Sequence, residues 1–198
     1  MPSVMETTLH RQLKLLYAPE GAPQEVTLGA YRIDAVRAGE LIEIQAASLG
    51  ALRDKTRTLL ATHPVRIVKP LAANRRIVLR QPGTETNPRG RLSPLHEGWL
   101  HLFDDLVHFV TVFPHPRLTL DIVLTEQLEL RVPRGHRRRW GRNYRVCDRS
   151  LTAVLEVRSL ATLADLVALL PPDLPTEFTT ADLARTGSIP RWLAQQIG

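Results

Sequence analysis

The sequence predicts a mixed α/β chain on three observations. Short runs of alternating polarity fill residues 25–49, a helical stretch separates them from further strand-like runs, and the block from residue 160 onward has helical spacing only. Taken in order, METTLHRQLKLLY (5–17) sets Leu9, Leu13 and Leu16 at i, i+4 and i+7 behind Thr7 or Thr8 as a cap. This is an amphipathic helix, stopped by Pro19 and Gly21. EVTLGA reads as a strand, and YRIDAV and LIEIQA, broken at 37–40, read as a hairpin. Ser48 caps a helix with Leu49, Leu52, Thr56, Leu59 and Leu60 on one face, ending before Pro64. VRIVKPL (65–71) and RRIVLR (75–80) are the next strands, and the strand–helix–strand order makes 65–71 parallel to a strand of the preceding sheet.

A loop or linker rich in Pro, Gly and polar residues (82–94) divides this core, residues 1–81, from a central α/β segment, 95–158. In that segment 95–112 reads as helix, with Leu95, Trp99, Leu102, Leu106 and Phe109 near helical spacing, and 118–132 and 151–157 read as strands. Residues 159–198 form the last unit, with short helices at 160–170, about 180–185 and about 190–197.

With 198 residues of which 43% are hydrophobic, the chain has enough apolar surface for a real core, which excludes disorder and fibrous repeats. A single cysteine, Cys147, excludes an internal disulfide and a thiolate zinc cage. No apolar run reaches about 18 residues, and no basic segment leads into an apolar one at the start, so the expectation is a cytoplasmic protein without a membrane span. The net charge of +6 is uneven. Residues 95–130 hold 1 basic and 6 acidic residues, whereas 131–149 hold 8 basic and 1 acidic. A polyanion is the partner such basicity fits, and nucleic acid is the commonest polyanion.

The hairpin carries the sharpest chemistry. If Ala38-Gly39 is a two-residue turn, Val36 faces Leu41 and Asp34 faces Glu43, with Gln45 farther along the same face of its strand. Ile33, Ile42 and Ile44 then point to the opposite face. Two carboxylates with Cβ atoms roughly 5 Å apart repel unless a cation intervenes. Mg²⁺ takes one or two protein carboxylates and completes its shell with water and phosphate oxygens, so the pair suits metal-assisted phosphodiester cleavage. The same residues beside Arg32 and Arg37 also read as a solvated hairpin face.

A helix, a strand, a hairpin with Asp34 on its first strand and Glu43-Ile44-Gln45 on its second, then a helix and a strand, resemble the core of the PD-(D/E)xK nuclease superfamily, the restriction-endonuclease-like fold. The resemblance covers about residues 5–80. It implies a metal-dependent nuclease acting on DNA, with RNA left open, in which Asp34 and Glu43 bind Mg²⁺ or Mn²⁺ and the third position orients the attacking water. That position, usually Lys, is Gln45 here, and an amide offers no positive charge to a hydroxide. Glu6 at the start of the first helix matches an additional acidic residue of some members, and Lys55 on the helix after Gln45 is placed to supply the missing charge from elsewhere.

RVPRGHRRRWGRNYRVCDR (131–149) sets Arg134, Arg137, Arg138, Arg139, Arg142 and Arg145 around Trp140 and Tyr144, a pattern for neutralising phosphates and for stacking on a base or on arginine itself. A solvated hairpin tip is the competing reading. TTADLARTGSIPRWLAQQIG resembles the helix-turn-helix of winged-helix domains without the wing, and offers Arg191, Gln195 and Gln196 as reading groups. Two further readings stand beside the nuclease: a catalytically inactive nucleic-acid-binding or regulatory protein on the same scaffold, and an interaction module for a protein partner or a second copy.

Overall fold

The computed structural model describes residues 6–18, 20–80, 90–134 and 143–198. As expected, the chain is a mixed α/β structure: a seven-stranded mixed sheet flanked by helices. Helix α1 (Thr8–Tyr17) starts at Thr7, whose side chain accepts the His10 N–H, and buries Leu9, Leu13 and the stem of Lys14. Leu16, expected on the buried stripe, is exposed, because the stripe continues from Leu9 and Leu13 to Tyr17, which packs against the same cluster.

Strands β1 (Gln24–Leu28), β2 (Tyr31–Arg37) and β3 (Glu40–Ile44) form an antiparallel meander. The hairpin register is the expected one: Val36 pairs with Leu41 and Arg37 with Glu40. Ala38 and Gly39 both have positive φ, 50° and 81°, which gives the turn the primed twist that two-residue hairpins favour. Ser48 accepts the Gly50 N–H and opens a 3-10 turn, Leu49–Leu52, that runs into α2 (Arg53–Leu59). Leu49, Thr56, Leu59 and Leu60 are buried, as the periodicity predicts.

Strand β4 (Val65–Leu79) merges the two strands expected at 65–71 and 75–80, with a register irregularity at Ala72/Asn74 marking the join. It runs parallel to β3 as expected, from Leu41↔Val65 to Ile44↔Val68. There β3 ends, and β5 (Arg91–Leu92) takes up the same flank only at Arg76 and Ile77. Pro70 sits in the interval. Val68 faces β3, since its carbonyl accepts the Gln45 N–H at 2.9 Å, and two residues on Pro70 faces the flank that β3 has left. A proline is therefore accommodated inside a 15-residue strand without breaking a ladder.

The segment 95–158 is joined to the first 80 residues by the sheet itself. After a 3-10 turn (Trp99–His101) and α3 (Leu102–Leu106), β6 (Leu118–Pro133) lies parallel to β4 along its length, and β7 (Tyr144–Leu160) lies antiparallel to β6. The helix expected over 95–112 is confined to 99–106, and the strand expected at 151–157 is 17 residues long. Helices α4 (Leu163–Val167), α5 (Thr180–Thr186) and α6 (Arg191–Ile197) complete the chain, each within or near the span expected.

Three apolar clusters hold the layers together. On one sheet face Leu49, Leu59, Leu102, Leu106 and Phe109 cover Ile67, Leu118 and Leu120. On the other, Leu9 and Leu13 of α1 cover Ile42, Val68 and Val123. The third joins α5 and α6 to the 3-10 turn through Leu100, Leu183, Ile189 and Leu193. Gly187 lies in this joint with an ordinary φ of −78°, so space and not backbone freedom selects it. A Cβ there would stand 2.6 Å from Leu100 Cδ1 and 2.9 Å from the Leu183 carbonyl oxygen. Gly187→Ala is expected to cost about 1–3 kcal/mol by overpacking. Gly98→Ala, where a Cβ meets nothing within 4 Å, is expected to stay within about 0.5 kcal/mol of the parent. Equal melting temperatures for the two variants would contradict this account.

Candidate active site

Asp34 occupies the point where β2 parts from β3. Paired residues between these strands run only from Arg37↔Glu40 to Ala35↔Ile42, and at the next step the side chain replaces the backbone: Asp34 Oδ2 accepts the Ile44 N–H at 2.7 Å. The parting corrects one expectation. Ile33 does not share a face with Ile42 and Ile44; it packs with Leu41 and Leu49, while Ala35, Ile42 and Ile44 pack under α1. Strict alternation fails because the chain turns over at Asp34.

An open cleft of about 510 Å³ lies here, with Glu6, His10, Asp34, Gln45 and Arg149 among its lining residues. His10 Nε2 stands 3.1 Å from Asp34 Oδ1 and 3.6 Å from Glu6 Oε1. Burial works against a charged imidazole, but the hydrogen bond and charge of Asp34, with the charge of Glu6, outweigh it and raise the His10 pKa. Burial likewise penalises the Asp34 carboxylate, yet His10 and the Ile44 N–H more than offset it and hold the group below its ordinary value. Lys14, nearly buried, carries Glu6 at 2.8 Å and also pairs with Glu25, which in turn contacts Arg32.

Glu43 is 4% exposed and is not among the residues lining the cleft. Lys55, brought over from α2, sets its Nζ 2.6 Å from Glu43 Oε1 and donates to the Arg32 carbonyl. The Asp34 backbone N–H also reaches the Glu43 carboxylate. Burial nevertheless dominates and pushes the Glu43 pKa up to about 7, with Lys55 opposing and the Asp34 charge adding to the rise. Gln45 lines the cleft and donates its Nε2 to the Ser48 carbonyl at 2.8 Å, so its amide oxygen is the end left for a ligand. Glu6, Asp34 and Gln45 thus share one cleft, and Glu43 and Lys55 form a buried pair that touches Asp34 through its backbone. Among the described residues no three His, Cys, Asp or Glu side chains come together in a ready metal cage.

Of the expected basic contacts, Arg137, Arg138, Arg139, Trp140 and Arg142 lie outside the described residues. Arg134 is exposed, with its Nε 3.4 Å from the Tyr144 carbonyl, and Arg145 is exposed on β7. Tyr144 stacks on an arginine, as one reading held, but the partner is Arg131, whose guanidinium is 3.9 Å from the ring centre. Arg191 is exposed at the start of α6. His10 and Lys14 were missed by sequence reasoning. The signal was present, since Glu6, His10 and Lys14 recur at i, i+4 and i+8 beside the leucine stripe. A second missed group is Glu129, almost fully buried on β6 and shared by Arg131, Arg149 and, at 3.8 Å, Arg75.

The family described as Domain of unknown function (DUF8091) matches residues 7–161, which run from α1 to the end of β7. The chain belongs to the DUF8091 family. An uncharacterized protein of Treponema pallidum (strain Nichols) is 31% identical to this DUF8091 chain over 185 residues, which cover 92% of the chain and 73% of that protein. No solved structure matches it. The matched span of DUF8091 includes the whole cleft apart from Glu6, and stops before α4. No described helix is long and apolar enough to cross a membrane.

Proposed function

We propose that this protein is a divalent-metal-dependent phosphodiesterase that cleaves nucleic acid, DNA in the first instance, at the cleft beside Asp34. The observation that carries the reading is the juxtaposition at the parting of β2 and β3: Asp34 on the cleft wall, Glu43 against the Asp34 backbone, Gln45 at the end of β3, and Lys55 at 2.6 Å from Glu43. The order α1, three-stranded meander, α2 and a β4 parallel to β3 supports it, being the order of the nuclease core that the sequence resembles.

Carboxylate oxygens are the donors that Mg²⁺ and Mn²⁺ prefer, which supports a metal role for Asp34 and Glu43. Both groups are hard carboxylate oxygens, and Glu43 Oε1 is buried with the Lys55 ammonium as its near neighbour and no hydrogen bond of good geometry. Asp34 and Glu43 would hold the ion, which when bound supplies Lewis acidity towards water and phosphoryl oxygen. Gln45 accepts a hydrogen bond from the attacking water through its amide oxygen. Lys55 provides from α2 the positive charge that an amide lacks at position 45. His10 keeps Asp34 ionised and turned towards the cleft.

The test is nicking of plasmid and of single-stranded DNA and RNA with Mg²⁺ or Mn²⁺. Asp34→Asn, which keeps an acceptor for Ile44, is expected to lower the rate by at least about a hundredfold, and Lys55→Met by about tenfold or more, roughly 1.4 kcal/mol per decade. If the parent is inert while nucleic acid still binds, the nuclease reading falls and the binding-protein reading replaces it. That second reading draws on one feature: each carboxylate already faces a cationic partner, Asp34 with His10 and Glu43 with Lys55.

A further inference from the structure

A smaller cavity, about 190 Å³, adjoins the cleft and shares Leu9, Ala46 and Arg149 with it. Its origin is the interval in the sheet. Between Val68, where β3 ends, and Arg76, where β5 begins, one flank of β4 has no strand beside it among the described residues. Glu97 closes part of the gap, its carboxylate accepting the Ala72 N–H at 2.5 Å and its own N–H donating to the Ala72 carbonyl. The rest of the gap is lined by Lys69, Arg75, Gln127 and Arg149.

The cations lining this cavity are not equally satisfied. Lys69 Nζ stands 2.6 Å from Asp105 and donates to the Ala47 carbonyl at 2.7 Å. Arg149 Nε donates to Glu129 at 2.9 Å. Arg75 has no such partner: Glu97 and Glu129 both stand at 3.8 Å, and its Nε is buried with no acceptor. Gln127, its partner across the ladder, donates Nε2 to Thr125 Oγ1 at 2.9 Å, while its Oε1 is buried and unpaired. The cavity therefore presents a half-buried guanidinium whose Nε has no acceptor and whose nearest carboxylates stand at 3.8 Å, beside a buried amide oxygen with no donor, and such unpaired buried atoms are costly unless a ligand answers them. Burial, and after it the charge of Arg149, push the Arg75 pKa down, with the charges of Glu97 and Glu129 opposing.

We propose that this cavity is a phosphate site that takes the terminal phosphate of a nucleic-acid strand lying in the adjoining cleft. A phosphate monoester offers oxygens to the Arg75 guanidinium and, in the monoanionic form that prevails below its second pKa near 6, an O–H to the Gln127 oxygen. The volume equals roughly six waters at about 30 Å³ each, enough for one tetrahedral anion and a few waters but not for a nucleoside. An end group fits such a side cavity, and its coupling to the cleft through Arg149 would hold a strand terminus at a fixed distance from Asp34. The assignment to a strand end rests on the nuclease reading; the anion chemistry does not.

The experiment separates the two. In EDTA, inorganic phosphate is titrated into the full chain by calorimetry and ³¹P NMR at constant ionic strength. Saturable binding is expected, weakened at least about tenfold in Arg75→Gln and less in Arg75→Lys. Short single strands ending in 5′-phosphate, 3′-phosphate or hydroxyl are then compared by fluorescence anisotropy, also in EDTA. One phosphorylated end is expected to bind about tenfold tighter than the hydroxyl, with the preference lost in Arg75→Gln. No saturable phosphate binding by the parent overturns the proposal, as does unchanged binding in an Arg75→Gln variant that melts like the parent. Phosphate binding with no preference for a phosphorylated end overturns the strand assignment. If Arg75→Gln does not fold, the parent measurements decide alone. Cleavage that fails while both EDTA measurements succeed sinks the nuclease reading and leaves this site standing.

Discussion

Replacing Glu129 with Leu is expected to destabilise the protein by about 3–5 kcal/mol, the range for removing one partner of a buried ionic group, and to lower its melting temperature by roughly 6–20 °C. Glu129 is 1% exposed on β6, with Oε1 at 2.6 Å from Arg131 and Oε2 at 2.9 Å from Arg149. Burial penalises its charge, but the two arginines more than compensate and hold its pKa below the ordinary value. Its stabilising effect is therefore present above the usual carboxylate range and is lost as pH falls through the depressed pKa. Among the described residues Leu would remove the carboxylate that the Arg131 and Arg149 guanidiniums share, leaving both cations unbalanced near Arg75. Combining Glu129→Leu with Arg131→Met is expected to recover part of the loss, because one unbalanced cation goes with it. A melting temperature within about 2 °C of the parent would mean that the arginines find other partners.

The second large effect is on stability against pH, and Glu43 causes it. In the unfolded chain this glutamate ionises near 4.5, whereas in the fold burial holds its pKa at about 7. Between those values the native state keeps a proton that the unfolded state gives up, so its contribution to stability is complete below about pH 4.5 and is lost as pH rises through 7. The loss amounts to about 3 kcal/mol by linkage. Glu43→Gln, which is permanently neutral, removes this dependence. Its stability relative to the parent is expected to climb by about that amount between pH 4.5 and 8, measured by urea denaturation without metal. A difference that stays flat with pH would mean that Glu43 ionises normally and that Lys55 fully compensates its burial.

Much of the site's framework was legible in the sequence because it depends on local rules. Two residues suited to a tight turn set the hairpin register from Arg37↔Glu40 to Ala35↔Ile42, and Asp34 and Glu43 come at the next step, where the strands part. The Leu49–Leu60 stripe fixed which face of α2 is buried, and with it the side of the sheet on which Lys55 stands. What failed was of longer range. Alternation assigned Ile33 to the face of Ile42, and the chain turns over at Asp34 because a side chain there takes the place of a backbone acceptor. Polarity placed a break after residue 81, but hydrogen bonding between β4 and β6 carries one sheet across it. Glu129, Arg75 and Arg149 come from three strands, and no spacing within the chain announces that they meet.

The bond from Ile44 to Asp34 has a further consequence. A carboxylate that completes the ladder is part of the scaffold as well as part of the proposed chemistry, so removing it also frees two strands to reseat. Asp34→Ala would change the shape of the cleft and its charge together, and a loss of activity in that variant would not separate a missing ligand from a shifted hairpin. Asp34→Asn keeps an oxygen for the Ile44 amide, while it removes the charge and exchanges the oxygen that faces His10 for an amide NH2. The Ile44 N–H is in turn a built-in probe: its chemical shift and exchange rate report whether the hairpin is still latched, independently of any measurement of turnover.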